Sequence, residues 1–162
     1  MKKLFMNLLL TVALVSCSSY KTLYTMEDIG QPSWATEAKT FEDDGDHAYF
    51  IGVYQTDYKE NTNINLVKSA SENLAWSEVT KKIMNDIENE QNLNLESQSK
   101  DKINLLVKQI SKSIISKAHV SDRWYKVIER EVDGKKLKNI IYYTRVKVSK
   151  NSYLKTLENT NN

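Results

Sequence analysis

Residues 120–148 read VSDRWYKVIEREVDGKKLKNIIYYTRVKV. Two runs rich in Val, Ile, Trp and Tyr flank Asp133-Gly134, a pair suited to the left-handed backbone of a two-residue hairpin turn. The pattern predicts strands at 120–132 and 137–148. In the second, Ile140, Tyr142, Thr144, Val146 and Val148 fall on one face, and Asn139, Ile141, Tyr143, Arg145 and Lys147 on the other. The first face is expected to be core and the second partly wet. A hairpin with one apolar face needs a cover, and the flanking sequence supplies it.

Upstream, Ile103, Leu106, Val107, Ile110, Ile114 and Ala118 form one apolar stripe, with Lys100, Lys102, Lys108, Lys112 and Lys117 mostly off it. That is an amphipathic helix, capped by Ser97 or Ser99, that packs on the chain's own sheet. The Asn-, Gln- and Glu-rich run 89–98 separates it from a longer helix at 63–88. There Val67, Ala70 and Leu74 form one apolar set, and Ala75, Val79, Ile83 and Ile87 another. At 100° per residue the two sets lie on different sides, so this helix either wraps across the sheet or kinks near residues 74–76, where Trp76 packs. Residues 47–54 read as a strand apolar on both faces, in which Gly52 marks a bulge or a close approach. After residue 148, Ser149 caps a short helix with Tyr153, Leu154 and Leu157 on one edge. The class expected is α+β: one strand, two helices, then a β-hairpin in a small, mainly antiparallel sheet, with the helices on one face and a short C-terminal helix.

Glu42-Asp43-Asp44-Gly45-Asp46-His47 has metal-like composition without the spacing for it. A calcium loop starting at Glu42 would need glycine sixth and glutamate twelfth, but Gly45 is fourth and Val53 twelfth. It is read as a solvated acidic turn. Pro32-Ser33-Trp34 opens the folded part, with Trp34 at the edge of the core. Residues 18–31 are polar, end in a Gly-Gln-Pro breaker, and read as a coil spanning about 20 Å.

The first sixteen residues are of another kind. Lys2 and Lys3 precede an apolar run at 4–15, shorter than the roughly 20 residues a spanning helix needs, so the segment reads as an export signal. Leu14, Val15 and Ser16 before Cys17 resemble the lipobox of bacterial lipoproteins. In that reading the signal peptidase cuts before Cys17, whose sulfur carries diacylglycerol and whose amine is acylated. The chain is anchored to a membrane without crossing it. Ser18 and Ser19, in place of an aspartate after the cysteine, resemble the signal for sorting to the outer membrane. The divisions expected are signal peptide 1–16, lipidated tether 17–31, one domain 32–158 and a frayed tail 159–162. With Cys17 acylated the chain has no other cysteine, so packing alone must hold the fold.

The formal charge of +2 includes Lys2 and Lys3; from Cys17 onward it is zero. No global field points to nucleic acid. The distribution is uneven, however, with nine acids and two lysines in 27–60, and nine bases and three acids in 126–155. Lys135, Lys136 and Lys138 at the hairpin tip, with Arg145 and Lys147 further along, form a candidate docking surface. Its partner would be acidic: a second copy, another envelope protein, or peptidoglycan. A tip of this kind also protects strand edges from pairing.

The succession of Pro32 to Trp34, Phe50-Ile51-Gly52-Val53, the Ala-bearing helix 70–83, Val120 to Trp124 and the aromatic-rich strand 142–148 resembles the Lpp-twenty family of bacterial outer-membrane lipoproteins. That family's relatives include flagellar accessory proteins of the FlgP type. Tyr54 stands where the family pattern has a second glycine, and the helix is poorer in alanine and arginine. The resemblance implies an α+β domain with a structural or assembly role in the envelope, facing periplasm or cell surface, and no catalytic residues. The chain itself has no HExxH, GxSxG, GxxxxGK or dinucleotide glycine pattern. His47 and His119 fall at the ends of elements, and four glycines and one proline leave little to shape the loops of a carboxylate-based glycosidase. A non-enzymatic protein without cofactor or metal is expected. The alternative is a periplasmic ligand-binding or regulatory module, such as an activator of peptidoglycan synthesis.

Overall fold

The computed structural model describes residues 20–91 and 100–158. The segment read as an export signal, with Leu14, Val15 and Ser16, then Cys17, Ser18 and Ser19, positions 92–99 with the caps expected at Ser97 or Ser99, and the tail 159–162 lie outside the described residues.

Five strands form one antiparallel sheet: β1 (Tyr20–Thr25), β2 (Phe41–Asp43), β3 (His47–Asp57), β4 (His119–Val132) and β5 (Lys135–Ser149), in the order β1-β4-β5-β3-β2. Helices α1 (Ile64–Gln91), α2 (Lys100–Ile115) and α3 (Lys150–Glu158) cover one face. The α+β class and the antiparallel sheet are as expected. The order differs, because three strands precede the helices instead of one.

The hairpin forms as the sequence dictates. Asp133 and Gly134 sit at φ 53° and 72°, and β4 and β5 pair from Val132↔Lys135 down to His119↔Lys147. β5 also pairs along its length with β3, from Asp57↔Asn139 to His47↔Ser149. It is therefore the central strand, and residues 139–144 are buried on both faces. This corrects the partly wet face: Ile141 and Tyr143 join Trp34, Ala35, Ile51, Trp124 and Ile128 in a second core. The cover is irregular chain from 26–37, which periodicity does not reveal.

Two strands were not expected. The segment read as a tether contains β1, which pairs with β4 from Tyr20↔Arg130 to Thr25↔Lys126 with an irregularity between Thr22 and Tyr24. Phe41, Glu42 and Asp43 form β2 against Phe50, Tyr49 and Ala48. Both lie at the edges of the sheet, where one side of the strand faces solvent and polar residues are tolerated.

On the helix face, the buried line of α1 is Val67, Ser71, Ala75, Val79, Ile83 and Ile87. A spacing of four overshoots a turn by 40°, so the line winds about 200° round the helix between its ends. Val67 thus meets Val127, Ile140 and Tyr142 of the sheet, while Ile83 and Ile87 share a core with Val107, Ile110 and Ile114 of α2 and Tyr153 of α3. The helix wraps. The Val67-Ala70-Leu74 set is not the packed one, and Leu74 is 40% exposed. Ser71 fills the core position instead, because β3 passes there at backbone contact. A Cβ on Gly52 would lie 2.1 Å from the Ser71 carbonyl oxygen and 2.3 Å from the Ala75 nitrogen. Ser71 Oγ donates to the Gly52 carbonyl at 2.9 Å and lies 3.0 Å from Thr144 Oγ1, so the polar atoms at this crossing satisfy one another. In α3, Ser149 Oγ accepts from the Ser152 amide and Tyr153 is buried, but Leu154 is exposed and leaves the predicted apolar edge.

Candidate functional surfaces

The five cations of the candidate docking surface fall into two groups at opposite ends of β5. About nine residues of extended chain, roughly 30 Å, separate Lys136 from Arg145. They are not one surface.

Arg145 projects from the face of the sheet away from the helices into a 380 Å³ cleft lined by Lys39, Glu42, Asp43, Asp44 and Tyr49. Its guanidinium carbon lies 3.8 Å from the Tyr49 ring centroid and 5.7 Å from that of Trp34. Its nitrogens pair with Glu42 at 3.2 Å and Asp122 at 3.7 Å, and only 19% of the side chain is exposed. Arg145 is thus a strut between β5, β2 and β4, not a free cation. Lys147 lies 5.9 Å from the same Tyr49 ring.

The acidic turn beside the cleft is organised by hydrogen bonds. Asp44 accepts from the amides of Asp46 at 3.0 Å and His47 at 2.7 Å, and from the Tyr49 hydroxyl at 2.8 Å. The Tyr49 bond, then the His47 amide, hold its carboxyl down at about 2. Asp43 bonds Lys150 at 2.7 Å, which lowers its carboxyl as well and ties the turn to the start of α3. Each of these carboxylates has a structural task. Among the described residues no group of three or more His, Cys, Asp and Glu is placed to hold a metal ion.

A cation that sequence reasoning passed over is Lys126, whose side chain is only 3% exposed. Its Nζ lies 3.3 Å from Glu37 Oε1, 3.2 Å from the Tyr20 hydroxyl, 3.4 Å from Gln31 Oε1 and 4.8 Å from the Tyr20 ring centroid. It gathers β1 and the covering segment onto β4. Nearby, burial and then the Glu37 charge push the Tyr143 hydroxyl above its ordinary range. The available signal was position: Lys126 stands two residues from Trp124 and from Ile128, on the same strand face.

At the other end, Lys135, Lys136 and Lys138 are all exposed, as expected of a hairpin tip. Strand alternation divides them. Lys136 and Lys138 share the helix-side face with Glu129 and Glu131, and Lys136 pairs with Glu129 at 3.1 Å. Lys135 lies on the other face with Arg130, Val132 and Leu137.

A third surface is a 710 Å³ apolar groove along α2, lined by Thr80, Asn104, Val107, Lys108, Ser111, Lys112, Ile115 and Ser116. The Ser111 hydroxyl is buried there without a hydrogen-bond partner. No helix among the described residues is long and apolar enough to cross a membrane. The chain matches no family model, no curated protein and no solved structure.

Proposed function

We propose that this chain is a lipid-anchored outer-membrane lipoprotein with a non-enzymatic structural or assembly role in the cell envelope, flagellar assemblies included. The anchor is Cys17, cut free by a signal peptidase that recognises Leu14, Val15 and Ser16 and sorted outward by Ser18 and Ser19. The observation that carries the reading is β1. It begins at Tyr20, three residues beyond Cys17, and is hydrogen-bonded to β4. Three residues reach at most about 11 Å, so acyl chains on Cys17 would hold the sheet edge hard against the headgroups. A domain mounted that stiffly transmits force and orientation, which suits a structural component better than a tethered catalyst. The charged clusters add to this: Arg145, Lys126 and Asp44 each brace one strand or segment against another.

Replacing Cys17 by Ala tests the anchor. The domain should remain folded, because Cys17 lies before the first strand, and the protein should leave the membrane fraction or persist as uncut precursor. Processed protein retained on membranes in wild-type amounts would contradict the reading. The alternative, a periplasmic ligand-binding or regulatory module acting for example on peptidoglycan synthesis, draws support from the apolar groove of α2. Ser111 would then supply a polar contact within that groove. A Ser111→Trp substitution that fills it should abolish such a function and leave an architectural one intact.

A further inference from the structure

We infer that the hairpin tip docks on anionic phospholipid headgroups of the leaflet that holds the anchor, through the face formed by Tyr20, Arg130, Val132, Lys135 and Leu137. The inference rests on the lipid anchor at Cys17 proposed above. Its basis is the register of β1. Tyr20, the first residue of β1, pairs with Arg130, and the strands are antiparallel, so β1 starts on the side of Val132 and the Asp133-Gly134 turn. The turn lies three residues past Arg130, about 10 Å of extended strand, which matches the reach of the three residues that join Tyr20 to Cys17. β1 therefore starts at the same end and edge of the sheet as the tip, within about 11 Å of chain of an anchor at Cys17.

The composition of that face fits a headgroup layer. Tyr20 is 48% exposed, and Val132 and Leu137 are each 43% exposed, on a domain whose other β-branched and aromatic strand residues are mostly covered. Arg130 and Lys135 stand beside them, cross-strand from Leu137 and Val132. Glu129 and Glu131 alternate to the opposite face, where they stand across from Lys138 and Lys136. The tip thus presents apolar side chains and cations together on one side and balanced Glu–Lys pairs on the other. Apolar groups at the acyl boundary with cations at the phosphates form the pairing that interfacial segments use. A second copy of this chain would need an acidic, apolar-lined recess. The acidic turn of residues 42–47 does not offer one, since its Asp43 and Asp44 are already bonded to Lys150 and Tyr49.

The mature chain from residue 17, carrying Cys17→Ser, contains every described residue and separates docking from acylation. It should co-sediment with vesicles of phosphatidylcholine mixed with phosphatidylglycerol, at least tenfold more than with phosphatidylcholine alone, and salt should weaken the binding. Lys135→Glu with Arg130→Gln should abolish it, and Val132→Ser with Leu137→Ser should reduce it severalfold, with thermal unfolding close to that of the parent. Equal binding to both vesicles, none to either, or indifference to both pairs of substitutions would overturn the proposal. So would self-association in the absence of lipid that the charge reversal removes, because the tip would then be a protein contact. The anchor is read separately, from the mass of the Cys17 peptide of the full chain made with its own signal. Unmodified Cys17 with intact vesicle binding removes the anchor and keeps the docking face. Acylated Cys17 without vesicle binding does the reverse.

Discussion

The two faces of the sheet are closed by different means. On the helix face, aliphatic side chains from α1 and α2, with Tyr153 of α3, meet Ala48, Phe50, Val146 and Val148, and α1 approaches β3 so closely that only glycine fits at position 52. On the other face a thin, irregular segment lies over Ile51, Trp124, Ile141 and Tyr143, and two cations fasten it, Lys126 through Glu37 and Arg145 over the Trp34 ring. One face depends on shape, the other on a few polar and aromatic contacts. Substitutions on the first should therefore be costly wherever they add volume, and substitutions of the cations on the second according to how far they leave a buried charge without a partner.

The largest effect is expected at Gly52. An alanine there forces α1 and β3 apart, since the atoms it meets are backbone, and should cost about 3 kcal/mol or more, at the upper end for overpacked cores. Urea unfolding of Gly52→Ala measures it; a loss below 1 kcal/mol would mean that the helix slides freely on the sheet. Arg145→Met comes next. It takes Arg145 from Glu42, 17% exposed, which retains its ion pair with Lys39, and removes the contacts with Tyr49 and Trp34. About 2 kcal/mol is expected, less than for a fully buried pair because water reaches Asp122. Lys126→Met sharpens the contrast. Its partner Glu37 is 54% exposed and returns to solvent at little cost, so the change should stay within about 1 kcal/mol in either direction, although Lys126 is the more buried cation.

The smallest effect concerns acid. Asp44 has a carboxyl depressed from 3.8 to about 2 by the Tyr49 hydroxyl and the His47 amide. A depressed carboxylate stabilises the fold fully above its unfolded pKa and ceases to do so as pH falls through the folded value. The turn should therefore loosen between about pH 4 and 2. Asp44→Asn should flatten the dependence of the melting temperature on pH in that window and leave it unchanged above pH 5; an unaltered acid limb would show that the turn contributes nothing there.

The contrast between the faces also sets what could be read from the sequence. The hairpin was legible because Asp133-Gly134 is a local signal, and the stripe of α2 because its period is helical. The fit of α1 was not: a serine stands where the spacing of four requires a buried residue, and hydrophobicity alone passes over it. β1 was missed because an edge strand needs only one apolar side, although Tyr20, Thr22 and Tyr24 do alternate. Arg145 was misjudged and Lys126 passed over for a common reason. Their charge directs them to solvent in any reading by composition, and only the aromatic rings and acids brought from β1, β2, β3 and the covering segment make burial affordable. Of the candidate docking surface, the sequence placed Lys135, Lys136 and Lys138 at an exposed tip. It could not show that this tip lies beside the start of β1, because strand order is a long-range property.

The central claim is that the chain just after Cys17 belongs to the sheet. Amide hydrogen exchange across Tyr20–Thr25 tests it most directly. Amides of β1 that point toward β4 should exchange more slowly than those that point outward, and Lys126→Ala, which removes the Tyr20 and Glu37 contacts, should speed them. Uniform exchange at the rate of an unstructured peptide would return this segment to a tether and end the account of a domain mounted directly on its lipid.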